Sequence, residues 1–487
     1  MNRLQRPIAR IGAITLIVAL TLTGCGSRLS YSKVLAENAA LGAAGTAGSS
    51  AGGSAGSGSA TGGALGASAG TPGGGTTSSG GQTSSSGGTN SSSGGGSQSS
   101  SGGASSGGAS SSGPATGSTI NIGQIGLDSG LFGTLFGQAV PALHVWADYV
   151  NANGGLNGHK VNVITADSGG DPSTALSDAK TMVNQDHVIA FLDSTDALST
   201  PTLAPYLASV GVPDIAGTDA ESQWYSNPDL YPGSASIRQS EDGALQYGIT
   251  QGKPKIGILY CVEFALICST AAAQTTKDAP TMGGTVVYNQ QISLASPDYT
   301  SECLGAKSAG VQQLQFYGDP ASAIRLMSDC HNQGYSPLFT TVAIIFSPAL
   351  LASSSTVAGL VGATPWFPFM VQSPATAQFD NAFQQYTGGP PNSEFDAFSW
   401  VGGLIMQAAS KNLPAANPTS AELIAGLDTI QNDTFGGLAT PVTYQAGQPA
   451  VSSTCSFFMT VQGNGTYGAP NGLQQTCLPA SFAQGTQ

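Results

Sequence analysis

From Leu41 to Gly117 the chain is built almost only of Gly, Ser, Ala and Thr, without one charged residue. Such a stretch has too little apolar surface to offset the entropy of ordering it, so it reads as a disordered, flexible tether. A coil of that length has a root-mean-square reach of roughly 50 Å, from about 5–6 Å times the square root of residue number. Folding is left to residues 118–487. That length exceeds what one hydrophobic core usually organises, so two lobes are expected.

The segment ahead of the tether reads as an address. Arg3, Arg6 and Arg10 make a basic start, and Ile11 to Leu20 is an apolar run too short to span a bilayer stably. It closes on Leu22-Thr23-Gly24-Cys25, which resembles a bacterial lipoprotein box. The resemblance implies a signal peptide over 1–24, a lipid on Cys25, and a lipidated linker over 25–117. The bland alternative is an ordinary secretory signal with an incidental cysteine.

The folded segment carries 26 acidic against 9 basic residues, a net −17. That balance argues against nucleic acid and against an electrostatically held membrane surface, leaving the lipid as the expected membrane contact. Seven cysteines are present; without Cys25 six remain, as suits an exported protein. Fifteen connectivities are possible. The preferred one joins sequence neighbours: Cys261 with Cys268, Cys303 with Cys330, Cys455 with Cys477. No CxxC occurs, and His144, His159, His187 and His331 form no HxxxH, so neither a metal nor another cofactor is expected.

Residues 150–175, VNANGGLNGHKVNVITADSGGDPSTA, decide between a phosphate grip and joinery. Ala139, Leu143, Trp146, Ala147 and Val150 recur at helical spacing upstream. Gly154 and Gly155 stop that helix, Asn157-Gly158 turns, and Lys160–Ile164 is a strand. Asp171-Pro172 then starts a helix. Phosphate loops place their glycines after a strand and before a helix, so the order excludes one here.

Further strands are expected at 120–125, 188–192, 212–215, 255–259, 285–288, 311–316 and 338–342. Helices are expected at 137–152, 172–186, 199–210, 240–252, 269–281, 299–309 and 320–333. This alternation reads as α/β: two doubly wound parallel-sheet lobes joined by a hinge. The rhythm breaks over 223–240, where the first crossing between lobes is placed. Ligands of such sheets bind outside the carboxyl ends of strands. Those ends carry Gly126-Leu127-Asp128-Ser129-Gly130, Asp193-Ser194-Thr195 and Ala216-Gly217-Thr218-Asp219. Hydroxyls and backbone groups there suit a small polar ligand. The same residues also serve as ordinary helix caps.

GQIGLDSGLFG (123–133), VNANGGLNGHKV (150–161), ADSGGDPSTA (166–175), VIAFLDS (188–194) and VGVPDIAG (210–217), in this order, resemble the branched-chain amino-acid-binding family. These are type I periplasmic binding proteins, the substrate-binding components of ABC importers. The resemblance implies lobe one at about 118–235 and 367–445, and lobe two at about 236–366 and 446–487. It implies ligand contacts at Ser194, Thr195, Ala216, Gly217 and Thr218, with an aromatic near Phe264. Asp193 or Glu263 is a candidate for the ligand's charge, and Phe132 for an apolar wall. The loop 340–347, TTVAIIFS, lacks the carboxylate that this family uses for a ligand's ammonium. The expected function is a non-enzymatic, monomeric, lipid-anchored, extracytoplasmic protein. It delivers an amino acid, amide or related organic acid to permease subunits. The alternatives are a sensor module on the same fold and an exported hydrolase, although no GxSxG elbow occurs.

Overall fold

A computed structural model of the chain describes residues 115–482, apart from Leu131, Phe132, Asp219 and Glu221. Cys25, the expected signal peptide and the expected tether up to residue 114 lie outside the described residues; Gly117, placed at the tether's end, instead donates its N–H to Gly158 O. The first sheet holds β1 (Ile120–Gly126), β2 (Val161–Asp167), β3 (Ala190–Leu192), β4 (Asp214–Ile215) and β5 (Leu230–Tyr231). Its order is β2-β1-β3-β4-β5 and every pairing is parallel. Three helices connect these strands: α1 (Ala139–Ala152), α2 (Pro172–Asn184) and α3 (Thr200–Val210).

The 150–175 stretch is joinery, for a local reason. Gly155 has φ 75°, and a Cβ on it would come within 2.1 Å of the His159 carbonyl oxygen. Only glycine lets the chain turn there from α1 into β2. At the next helix start, Asp171 accepts the backbone N–H groups of Ser173 and Thr174, with Pro172 as the first helical residue.

The second sheet repeats the winding. β6 (Lys255–Cys261), β7 (Thr285–Ile292), β8 (Gln313–Tyr317), β9 (Leu338–Val342) and β10 (Val361–Thr364) lie in the order β7-β6-β8-β9-β10, all parallel. Helices α4 (Ile237–Thr250), α5 (Ala265–Asp278), α6 (Thr300–Ser308) and α7 (Pro320–Asn332) accompany it. Beyond β10 the sheet turns antiparallel through β11 (Cys455–Gln462), which also pairs β12 (Thr466–Gly468) and β13 (Thr476–Cys477). The parallel expectation therefore holds through β10 only.

Between β10 and β11 the chain forms α8 (Ala377–Thr387), α9 (Glu394–Ala409) and α10 (Ser420–Leu427). Helices α8 and α9 pack on α1, and α10 packs on α9. At Gly403 a Cβ would meet the Trp146 ring at 2.2 Å, so α1 and α9 touch backbone to ring. The bridges are Cys261–Cys268 (β6 to α5), Cys303–Cys330 (α6 to α7) and Cys455–Cys477 (β11 to β13).

Candidate functional site

In a sheet wound 2-1-3-4-5, the connections leave toward opposite faces on either side of the first strand. This opens a crevice between the carboxyl ends of strands 1 and 3. Here those ends belong to β1 and β3 in one sheet, and to β6 and β8 in the other.

After β3 the backbone swings through φ 56° at Asp193, which is fully buried. Its carboxyl lies against α9: a Cβ on Gly402 would come within 2.2 Å of Oδ1. Burial raises its pKa well above the ordinary carboxyl value; the Ser399 hydroxyl opposes this and Asp214 adds to it. The Ser194 hydroxyl donates to Asp214 Oδ1 at 3.0 Å, with both residues buried. Burial pushes Asp214 up to about 7, against the Ser194 hydroxyl and the Ile215 N–H. With its proton given to Asp214, Ser194 Oγ has only lone pairs left for another partner.

The backbone amides nearby are engaged. Asp193 N–H donates to Ile215 O, Thr195 N–H to Ile125 O, Ala216 N–H to Tyr231 O, and Thr218 N–H to Ser194 O. Thr195 Oγ1 accepts a long 3.5 Å bond from Gln124 Nε2. Gly217 is pressed under Trp224, whose ring would lie 2.2 Å from a Cβ there. Residues 193–195 and 216–218 thus form one connected cluster at the end of the first sheet. Phe264 lies in the other half, ahead of α5, half-buried against the core. Tyr317, Phe398 and Trp400 are core residues, and the Tyr317 hydroxyl is bonded to Thr275 and Gln315. Phe132 lies outside the described residues.

A second group of carboxyls lies at the strand ends; Asp128 and Glu263 stand among the residues read from the sequence, and Asp196 does not. Asp167 Oδ1, at the end of β2, accepts the N–H groups of Asp128 (3.0 Å) and Gly169 (2.9 Å). Asp196 Oδ2, after β3, accepts the Ser168 hydroxyl at 2.5 Å, and Oδ1 the Leu198 N–H at 3.1 Å. Between them, burial first and then the charges of Asp167 and Asp196 push Asp128 up to about 8. Its Oδ1 is buried without a hydrogen bond. At the end of β6, Glu263 Oε1 accepts the Ser293 hydroxyl (2.7 Å) and the Leu294 N–H (2.9 Å). Burial works against its charge, but these bonds hold the pKa below the ordinary value. Its Oε2 is likewise buried without a partner. The sequence did show aspartates just past β1 and β2; it did not show which oxygens are left over.

Two surface concavities lie away from these loops. One is between α4 and β11, at Tyr247 and Phe458; the other is at the amino ends of β8 and β9, at Val311 and Leu338. Neither has strand-end chemistry, so topology and leftover polar atoms mark the site better than surface shape does. Among the described residues no group of His, Cys, Asp and Glu is placed to hold a metal ion.

The chain is similar in structure to several solved proteins. A fatty acid ABC transporter substrate-binding protein from Thermomonospora curvata is 19% identical with a TM-score of 0.63, covering 77% of this chain and 96% of that one. The branched-chain amino acid transporter substrate-binding protein LivJ from Streptococcus pneumoniae, solved with isoleucine, is 16% identical with a TM-score of 0.61, covering 74% and 99%. An ABC transporter solute-binding protein from R. palustris, solved with benzoate, is 14% identical with a TM-score of 0.60, covering 74% and 98%. No curated protein matches the chain in sequence. Residues 119–466 match the periplasmic binding protein family, a span that takes in β1 to β11 and the helices between them. The chain therefore belongs to the periplasmic binding protein family, with the type I fold of its leucine-binding members.

Proposed function

We propose that this protein is an extracytoplasmic solute-binding lipoprotein, anchored through Cys25. It captures a small polar ligand, such as an amino acid, an amide or a related organic acid, and hands it to the permease of an ABC importer. The lobes are residues 118–235 with 367–445, and 236–366 with 446–487. The observation that carries this reading is the repeated 2-1-3-4-5 winding, with polar strand-end loops at both crevices. The range of ligands named for the similar proteins, from isoleucine to benzoate and fatty acid, supports the role without fixing the ligand.

Binding proceeds without turnover: one lobe takes the ligand on the loops 193–195 and 216–218, and the second covers it by hinge motion. Ser194 is the central contact of the first lobe. A thermal-shift screen over amino acids, amides, carboxylates and amines tests the role. A hit is then followed by small-angle scattering and by recovery of the ligand. The expected result is a raised melting temperature, a smaller radius of gyration and unaltered ligand. A chemically changed ligand, or no hit across the classes, overturns the reading. Mass spectrometry of membrane-extracted protein is expected to show a diacylated Cys25; any other mature N-terminus removes the anchor.

A further inference from the structure

We infer that Asp128 is the anchor for a positively charged group on the ligand, with Glu263 as its counterpart on the second lobe, so that the ligand class is ammonium-bearing small molecules. This rests on the solute-binding reading above.

The inference begins from leftover capacity. A buried carboxyl oxygen without a hydrogen bond is costly, and native proteins rarely keep one without a use. Asp128 Oδ1 and Glu263 Oε2 are both in this state. They also occupy equivalent places. Asp128 follows β1 and Glu263 follows β6, and each of those strands lies second from the edge of its sheet's 2-1-3-4-5 run. Both carboxyls therefore sit beside the crevices where open α/β sheets take ligands.

The surroundings select the ligand's charge. The charged groups facing Asp128 are Asp167 from the β2 loop and Asp196 from the β3 loop, and both are anionic. Asp167 already serves two backbone amides, and Asp196 serves two hydroxyls and an amide. Neither is in position to neutralise Asp128. An approaching carboxylate meets repulsion from Asp167 and Asp196. A neutral amide satisfies one oxygen but leaves the crowding of negative charge. An ammonium satisfies the open oxygen and relieves the crowding at once. Ser194 agrees, since its hydroxyl proton is committed to Asp214 and its oxygen is left to accept. A bare metal cation is disfavoured, because these carboxyls do not converge as a ligand set. The raised pKa of Asp128 supplies a signature: in the empty protein much of this group is protonated at neutral pH, and a bound cation expels that proton.

Titration calorimetry on the full mature chain tests this with matched probes. 1,4-Diaminobutane and 4-aminobutyrate carry an ammonium; butyrate and butyramide have the same backbone without one. Ammonium probes are expected to bind at pH 7.5 with proton release, read from buffers of different ionisation enthalpy. Their affinity rises from pH 6 to 8. Asp128→Asn is expected to weaken them about tenfold or more, to abolish the proton release, and to raise rather than lower the melting temperature at pH 7.5, since it removes a buried group that must ionise. Glu263→Gln, which keeps the Ser293 and Leu294 bonds, weakens them as well. Binding of butyrate or butyramide with no loss in Asp128→Asn overturns the inference while the solute-binding role stands. The same holds for ammonium binding that neither variant changes. Failure of every probe and of the wider screen overturns both.

Discussion

The two sheets share a winding order but are held together by different means. In the first, β3, β4 and β5 are three, two and two residues long. In the second, β6 to β9 run from five to eight residues. All three disulfides belong to the second. The first relies on helix packing instead. Helix α9 is apolar nearly all round, with Phe395, Phe398 and Trp400 in edge contacts with Phe136, Trp366 and Phe379. The first half also buries carboxyls at its strand ends and on α9: Asp214 and Asp396 are each pushed up to about 7 by burial. A lobe with little ladder and much side-chain packing can keep polar groups at its strand ends. The second sheet, with its longer ladder and covalent ties, has less need of such packing.

The largest expected effect lies in the tied half. Cys303 and Cys330 are fully buried and close a loop of 27 residues. Replacing both with alanine is expected to cost about 2–5 kcal/mol. One continuous apolar cluster runs through both halves, so calorimetry should show a single lowered transition. Two separated transitions would mean that the halves are independent, and the comparison would have to be redrawn.

The next effect is set by pH. Asp214 titrates near 7 in the folded chain against an ordinary value of 3.8, so the folded state holds a proton that the unfolded state has lost. Stability from this group is full below about pH 4 and falls as pH rises to about 7, by at most about 1.4 kcal/mol per pH unit. Asp396 acts over the same window. Asp128 in the first half carries the fall on to about 8, and Asp242, on α4 and facing Asp278 of α5 in the second half, to about 9. Melting curves are expected to be highest near pH 4–5 and to decline toward pH 9. Asp214→Asn should flatten the decline below pH 7, and Asp242→Asn the part above. A melting temperature that climbs from pH 5 to 8 contradicts this.

The smallest effect is local to the first half. Asp171→Ala removes the acceptor for two amides at the start of α2, a loss of about 1 kcal/mol by denaturant titration. No change would mean that water replaces the cap.

Much of this was legible in the sequence where local signals agree. Asp171-Pro172 announced α2, and Leu338–Val342 falls on β9. What was not read has physical reasons. Helix α9 has 13 buried residues among 16, so no polar stripe marks its period. Strand β5 is two residues long, and β10, VGAT, is short and glycine-containing. Strand β11, CSFFMTVQ, has the composition of a strand, but its antiparallel pairing departs from the alternation of strand and helix that marks the rest. At the site, strand ends and the family resemblance pointed to Ser194 and Thr218; nothing in the sequence shows that the Ser194 proton goes to Asp214 or that Asp128 keeps an open oxygen.

The antiparallel pairing of β10 with β11 sets an order of events during synthesis. Ninety residues separate Thr364 from Cys455, and in that interval the chain builds helices for the other half. Until residues 455–462 emerge from the ribosome, β10 has one side with unmet amides and carbonyls, from Val361 to Thr364. The nascent chain therefore holds an open β-edge through the last part of its growth, when pairing with a neighbouring copy is the main hazard. A chain that stops short of Cys455 would keep that edge permanently. Premature termination would then yield an aggregating species rather than a smaller working receptor.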